Sequence, residues 1–509
     1  MTLPKRPAVT ALVGALVIGV LGDALLRGTP WGVNFPLWIA SLAVASYLAL
    51  AGHPPSDRRA AAWWLGTAVL FAAMFAWRDA AFLNFWNFLA VLAAFSIAAL
   101  QASGVQLAVT HVREYVVGAV RTGLHLGGGA GALALVDTPW REMTPAHGVP
   151  RLGRYALGAA LAVPVTLVFG GLFASADPVF QGLVDDLFAW DWESLWSHLL
   201  LTGFCAWLGA GLLRSLVKPG GAWHLESGLA GRLGMPEIGI PLGAMVLLFL
   251  VFTAIQAGYL FGGEEFVLET TGLSYAAYAR RGFFELVTAT GLVLPTLLTA
   301  NWALDRESEK AVLSFGALAV VLLVLVDLVA VSGIWRMRLY VSSYGLTVDR
   351  FYATAFMVWI AILLGWFAFT VLRDRCERFA FGAVLSGFGL LAFLNLLNPE
   401  AHIARVKLDR LREGREFDVS YIQLLSADAV PTVAGAWSVL DVTQRCELTY
   451  GFLDRKAERA PSDWRTWNVA RYRASRSLGG RRAVLPEPAL CGWGSEATDQ
   501  SSSGSNATR

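Results

Sequence analysis

Tyr275-Ala-Ala-Tyr278-Ala-Arg280-Arg281-Gly-Phe-Phe-Glu285 leads directly into Leu286 to Leu304, a run without a single Asp, Glu, Lys or Arg. On a helix Tyr275 and Tyr278 are i,i+3 neighbours, and Arg281 and Glu285 are i,i+4 neighbours. The run that follows is long enough to cross a bilayer, which takes about twenty apolar residues. A polar, aromatic-rich helix start therefore sits at a membrane surface.

The rest of the chain repeats this pattern. Of its 509 residues, 56% are hydrophobic and only 15% are charged, and the mean hydropathy is +0.54. Those values lie outside the range of soluble globular proteins and predict an all-α, polytopic helical membrane protein. The formal net charge of +2 gives no reason to expect a nucleic-acid partner. Twenty Trp and 29 Phe supply the aromatic belts and lipid-facing packing that such a protein needs. The four cysteines, Cys205, Cys376, Cys446 and Cys491, show no CxxC or Cys/His spacing, so no metal is expected.

Eleven spans are predicted, at about 9–26, 34–51, 61–77, 81–101, 155–174, 199–216, 238–260, 283–304, 312–334, 351–372 and 379–397. The first could be mistaken for a signal peptide, but no A-x-A site follows it and Asp23 does. Residues 112–137 are different. Arg121, His125 and the Gly127–Gly131 run would make a costly span, and the stretch reads as amphipathic or re-entrant. Residues 1–397 are thus a transmembrane domain and 398–493 a mostly helical extramembrane region. The Ser/Gly-rich tail, 494–509, reads as disordered.

Lys and Arg are retained on the cytoplasmic side of bacterial membranes, and the loops on the N-terminal side hold most of them, from Lys5, Arg6, Arg58 and Arg59 to Arg373, Arg375 and Arg378. The opposite loops hold only Arg27, Arg78, Arg280, Arg281, Arg336, Arg338 and Arg350. The expected topology has a cytoplasmic N-terminus and an extracytoplasmic C-terminal region, and a crossing at 112–137 would reverse the latter. In an oxidising compartment a Cys446–Cys491 disulfide is expected.

Five arginines run against that trend close to the membrane: Arg280, Arg281, Arg336, Arg338 and Arg350. Arg336, Tyr340 and Tyr344 share a helical face at i, i+4 and i+8. Gly345 suits a helix C-terminus, and Thr347 with Asp349 suits the cap of the next helix. The bland reading is that these arginines snorkel and pair with Glu264, Glu265 and Glu269. The sharper one is a ligand site of Tyr275, Tyr278, Arg280, Arg281, Glu285, Arg336, Arg338, Tyr340, Tyr344 and Arg350 for the anionic group of a lipid or envelope precursor. Within the membrane, Asp327 marks either a polar path or a hydrogen-bonded helix contact, and Asp23 lies near the outer end of the first span. Asn84, Asn87, Gln256 and Asn301 read as ordinary interhelical glue. No zinc-protease, P-loop, nucleophile-elbow or dinucleotide motif occurs on a suitable element, so no catalytic residue and no cofactor are assigned.

Together with the opening stretch, Arg338-Leu-Tyr-Val-Ser-Ser-Tyr-Gly-Leu-Thr347 and the pair Asp418-Val-Ser-Tyr421 and Leu425-Ser-Ala-Asp-Ala-Val-Pro431 resemble an uncharacterised bacterial family, domain of unknown function forty-one seventy-three. The resemblance runs from Asn34 to Pro431 and implies a multi-pass inner-membrane protein, without an activity or site residues. Two functions stay open: a transporter or membrane sensor that binds an anionic ligand at its outer face, and a membrane-embedded transferase acting on a lipid-linked substrate. The bilayer is the one definite partner.

Overall fold

The computed structural model describes residues 5–107, 112–138, 192–217, 233–261, 283–305, 308–449 and 463–479, with a few single positions between them. Among the described residues eleven long helices form the body: α1 (Lys5–Leu26), α2 (Asn34–Ala49), α3 (Pro55–Trp77), α4 (Ala81–Ala102), α5 (Val112–Ala132), α6 (Trp192–Val217), α7 (Met235–Phe261), α8 (Phe283–Ala303), α9 (Glu309–Tyr344), α10 (Val348–Thr370) and α11 (Cys376–Leu397). Among the described residues no named strand occurs, and ten of these helices are long and apolar enough to cross a membrane. The exception is α5. The expected span at 155–174 falls mostly outside the described residues.

Breaks in the chain follow local chemistry. Pro54 and Pro55 start α3, where proline loses no helical hydrogen bond. Ser308 caps α9 by accepting from the Ala311 amide. That helix ends at Gly345, whose φ of 80° favours a residue without a Cβ. At 36 residues α9 is about 54 Å long, well beyond the roughly 30 Å of a hydrocarbon core, so one end stands clear as a stem. Arg336 and Arg338, expected just beyond the end of a span at 334, lie within this one continuous helix. Thr347 precedes α10 as expected, but its side chain makes no cap bond there.

Two apolar cores share the bundle. One joins α1 to α4 with α6 around Phe35, Leu65, Phe71 and Leu212. The other joins α7 to α11 around Leu297, Leu322, Leu364 and Phe379. Between α1 and α6 the backbones come close, since a Cβ on Gly19 would lie 2.7 Å from that of Ala206. At the N-terminal face Ala8 and Ala11 pack with Leu133 and Leu213. α5 lies along this face, with Gly118 against Leu100 and with Asp137, just beyond its end, bonded to Arg214 at 2.7 Å.

After α11 the chain turns at Asn398, which is left-handed at φ 56° and caps the next helix through the Ala401 amide. The extramembrane helices are α12 (Pro399–Arg412), α13 (Val419–Leu424), α14 (Val430–Gly435), α15 (Val442–Leu448) and α16 (Val469–Gly479). They close over their own core of Ile403, Ile422, Val433, Leu448 and Ala474. Asp418 caps α13 by accepting from the Tyr421 amide. This region sits on the face opposite the start of α1, because Arg465 donates to the Ala24 carbonyl at the far end of that helix.

Candidate functional site

Two charged centres occupy the face that carries the C-terminal region. The first is a basic cluster around the free end of α9. Helix ends leave carbonyls without partners, and here Arg410 of α12 donates to the carbonyls of Val341, Ser342 and, at 2.9 Å, Ser343. Arg415 donates to Ser342 O at 2.6 Å. Arg350 donates to Gly345 O and lies 4.1 Å over the Tyr340 ring. Tyr344 packs beside Tyr340 at 5.0 Å and is exposed.

Lys407 completes the group. It is 7% exposed, and its ammonium stands 4.4 Å over the Tyr421 ring, while the Tyr421 hydroxyl accepts from the Val348 amide. Burial pushes the Lys407 pKa down; Asp418 works against that shift, and Arg350 and Arg410 add to it.

The second centre is a buried junction between the C-terminal region and the bundle. Asp428 Oδ1 meets Arg78 at 3.2 Å, and Oδ2 accepts from the amides of Asp79 at 2.6 Å and Ala80 at 3.0 Å, where α4 begins. A carboxylate is favoured there by the open amides and by the helix dipole. Asp79 in turn binds Arg471 at 2.7 Å. Arg78 also donates to Asn395 O at 2.7 Å, and Asn395 exchanges amide hydrogen bonds with Asn87. Asn468 donates to the carbonyls of Phe75 and Arg78. Glu400 accepts from the Ser426 amide. Burial pushes the pKa of Glu400 up, and nearby Asp428 and Asp79 add to that rise against its Ser426 hydrogen bonds. Burial likewise pushes Asp428 up, against the Asp79 amide and Arg78.

The sequence-predicted site residues are distributed as follows. Tyr275, Tyr278, Arg280 and Arg281 lie outside the described residues, as do Glu264, Glu265 and Glu269. Glu285 is exposed at the start of α8. Tyr340, Tyr344 and Arg350 come together at the basic cluster. Arg336, one turn below Tyr340, is 8% exposed within the bundle, and Arg338 is exposed. Asp327 keeps its Oδ1 buried with no hydrogen-bond partner among the described residues. Asp23 is paired twice, with Arg27 at 2.8 Å and His198 at 2.6 Å. Gln256 bonds Ser332, as glue between α7 and α9. Cys205 is a buried free thiol, Cys446 is disulfide-bonded, and Cys491 lies outside the described residues.

Sequence reasoning missed Lys407, Arg410, Arg415 and most of the junction. One signal was present: Arg78-Asp79-Ala80 is too short a connection between two spans to solvate both charges independently.

A bundle of spanning helices with an extramembrane helical region fastened to one face defines a polytopic membrane protein. The chain belongs to the family Domain of unknown function (DUF4153), whose model matches residues 65–436. That family carries a different number from the one its motifs resemble. Comparison with curated proteins and with solved structures gives no match. Helices α1, α2 and α16 lie outside the matched stretch, and the connection between α1 and α2 bonds the start of α16 and the turn before it: Val33 donates to Trp467 O at 2.9 Å, and Arg471 to Trp31 O at 3.1 Å.

Proposed function

We propose that this is a bacterial inner-membrane protein whose extracytoplasmic face carries the C-terminal region and binds an anionic group of an envelope component at the basic cluster capping α9. It acts as a sensor or transporter, with a membrane-embedded transferase as the alternative. The observation that supports this reading is Lys407, a cation held in a nearly dry position beside Arg350 and Arg410, three charges that nearby Asp418 balances only in part. Like charges brought together away from water are costly unless an anion joins them. A phosphate or carboxylate supplies that charge, Arg forks match its oxygens, and Tyr340 with Tyr344 form a wall. The orientation rests on the Lys and Arg distribution.

The test uses purified full-length protein in detergent with pyrophosphate or phosphatidylglycerol as the probe. Binding should raise the melting temperature of the wild type and not that of Lys407→Met, which should melt no lower than wild type without the probe. A wild type indifferent to both probes removes the reading.

The transferase reading draws on the Asp23–His198 contact at 2.6 Å. Arg27 engages the other Asp23 oxygen at 2.8 Å, so in this structure the carboxylate is held between two side chains.

A further inference from the structure

Helix α16 and the turn before it present an aromatic and basic edge that neither charged centre uses. Trp464 is 64% exposed, Tyr472 45%, and Trp467 and Trp31 38% each. The rings of Trp467 and Tyr472 lie 6.2 Å apart, and Trp31 stacks on Phe35 at 5.1 Å. Arg473 and Arg476 are exposed on the same helix, and among the described residues no acid pairs with either; the neighbouring Asp463 is taken by Arg465 at 2.7 Å.

The position of this edge is fixed by the spans. Val33 donates to Trp467 O and Arg465 to Ala24 O, so the edge is tied directly to the connection between α1 and α2. Below it, α1 and α2 turn Val13, Leu16, Val20, Leu37 and Leu48 outward on spans apolar enough for lipid. An edge anchored at the end of those helices stands at the depth of the headgroups, where Trp and Tyr rings are favoured and Arg meets lipid phosphate.

We infer that Trp31, Trp464, Trp467 and Tyr472, with Arg473 and Arg476, form a bilayer-docking edge that lays the C-terminal region on the surface of its own membrane and prefers anionic phospholipid. The occupant is lipid because the edge is anchored at the ends of α1 and α2, whose exposed residues are apolar on spans long and apolar enough to cross a membrane.

The experiment replaces Cys205 and Cys376, labels Trp464→Cys with bimane, and reconstitutes the full chain in nanodiscs of phosphatidylcholine with or without phosphatidylglycerol. Leu48→Cys serves as the lipid-exposed reference. The label at 464 should be quenched by a shallow doxyl-lipid and shielded from aqueous iodide, with stronger shielding when phosphatidylglycerol is present. Adding Arg473→Gln and Arg476→Gln should abolish the phosphatidylglycerol effect and leave the quenching in phosphatidylcholine. Iodide access equal to that of the free dye, with no lipid quenching, overturns the docking. A phosphatidylglycerol effect that survives both Arg replacements overturns the anionic preference.

Discussion

Arg78 and Asp428 are 350 residues apart in the chain and meet at 3.2 Å in a junction where the Asp428 side chain is 1% exposed. One belongs to the turn between α3 and α4, the other to the loop before α14. Because Asp428 also receives the Asp79 and Ala80 amides, a single carboxylate caps a membrane helix and holds the extramembrane region to it.

Removing one partner of a buried pair leaves the other charge unpaired, at a cost of about 3–5 kcal/mol. Asp428→Ala should therefore loosen the C-terminal region and increase its cleavage by protease in the detergent-solubilised protein, while α1 to α11 stay folded. In the double variant with Arg78→Ala the loss should be less than the sum of the single losses. Additive losses would show that the two residues act separately.

Acidity should act on the same junction. Three carboxyls, Asp79, Glu400 and Asp428, face two guanidiniums, Arg78 and Arg471. Glu400 titrates above its ordinary value in the folded protein, so the stability it adds is complete below the unfolded value and is lost as pH rises through the folded one. For Glu400 the window opens upward from the ordinary 4.5. Protease resistance of the C-terminal region should fall as pH rises from mildly acidic towards neutral, and Glu400→Gln should flatten that profile. A profile unchanged by Glu400→Gln would assign the dependence elsewhere.

The basic cluster contains two kinds of cation, and mutation should separate them. Arg410 satisfies carbonyls at the end of α9, so Arg410→Ala should lower stability by about 1.5–3 kcal/mol, the range for hydrogen bonds to a charged group. Lys407 satisfies no carbonyl among the hydrogen bonds described above. Lys407→Met should leave the melting temperature unchanged or raised, and should weaken the binding of an anionic probe more than tenfold, a loss of about 1.4 kcal/mol or more. Calorimetric titration alongside melting curves distinguishes the two effects.

Reduction should weaken the C-terminal region if Cys446 is bonded to Cys491. A loop of roughly 45 residues contributes about 3–4 kcal/mol in the chain-entropy model. Mass spectrometry of a non-reducing digest should show one linked peptide pair containing both residues, and alkylation of either in the unreduced protein would refute the pairing.

What the sequence determined by itself was the part of this protein that depends on near neighbours. Twenty-residue apolar runs must become helices in lipid because an unpaired amide there has no water to bond. The end of α9 at Gly345 and the cap at Asp418 follow from conformations open to glycine and from a carboxylate three residues before an amide. The tertiary structure decided which charges matter. Asp428-Ala-Val-Pro431 reads as a helix opening, and a helix does begin at Val430, yet the Asp428 side chain turns away to cap α4. Lys407 looks in sequence like one more cation on an amphipathic helix; it becomes exceptional only when α12 packs against the end of α9 and removes its water. Hydropathy and helical period are local properties of a chain, whereas burial and charge pairing arise between segments hundreds of residues apart, and the energy of a charge is set by those neighbours.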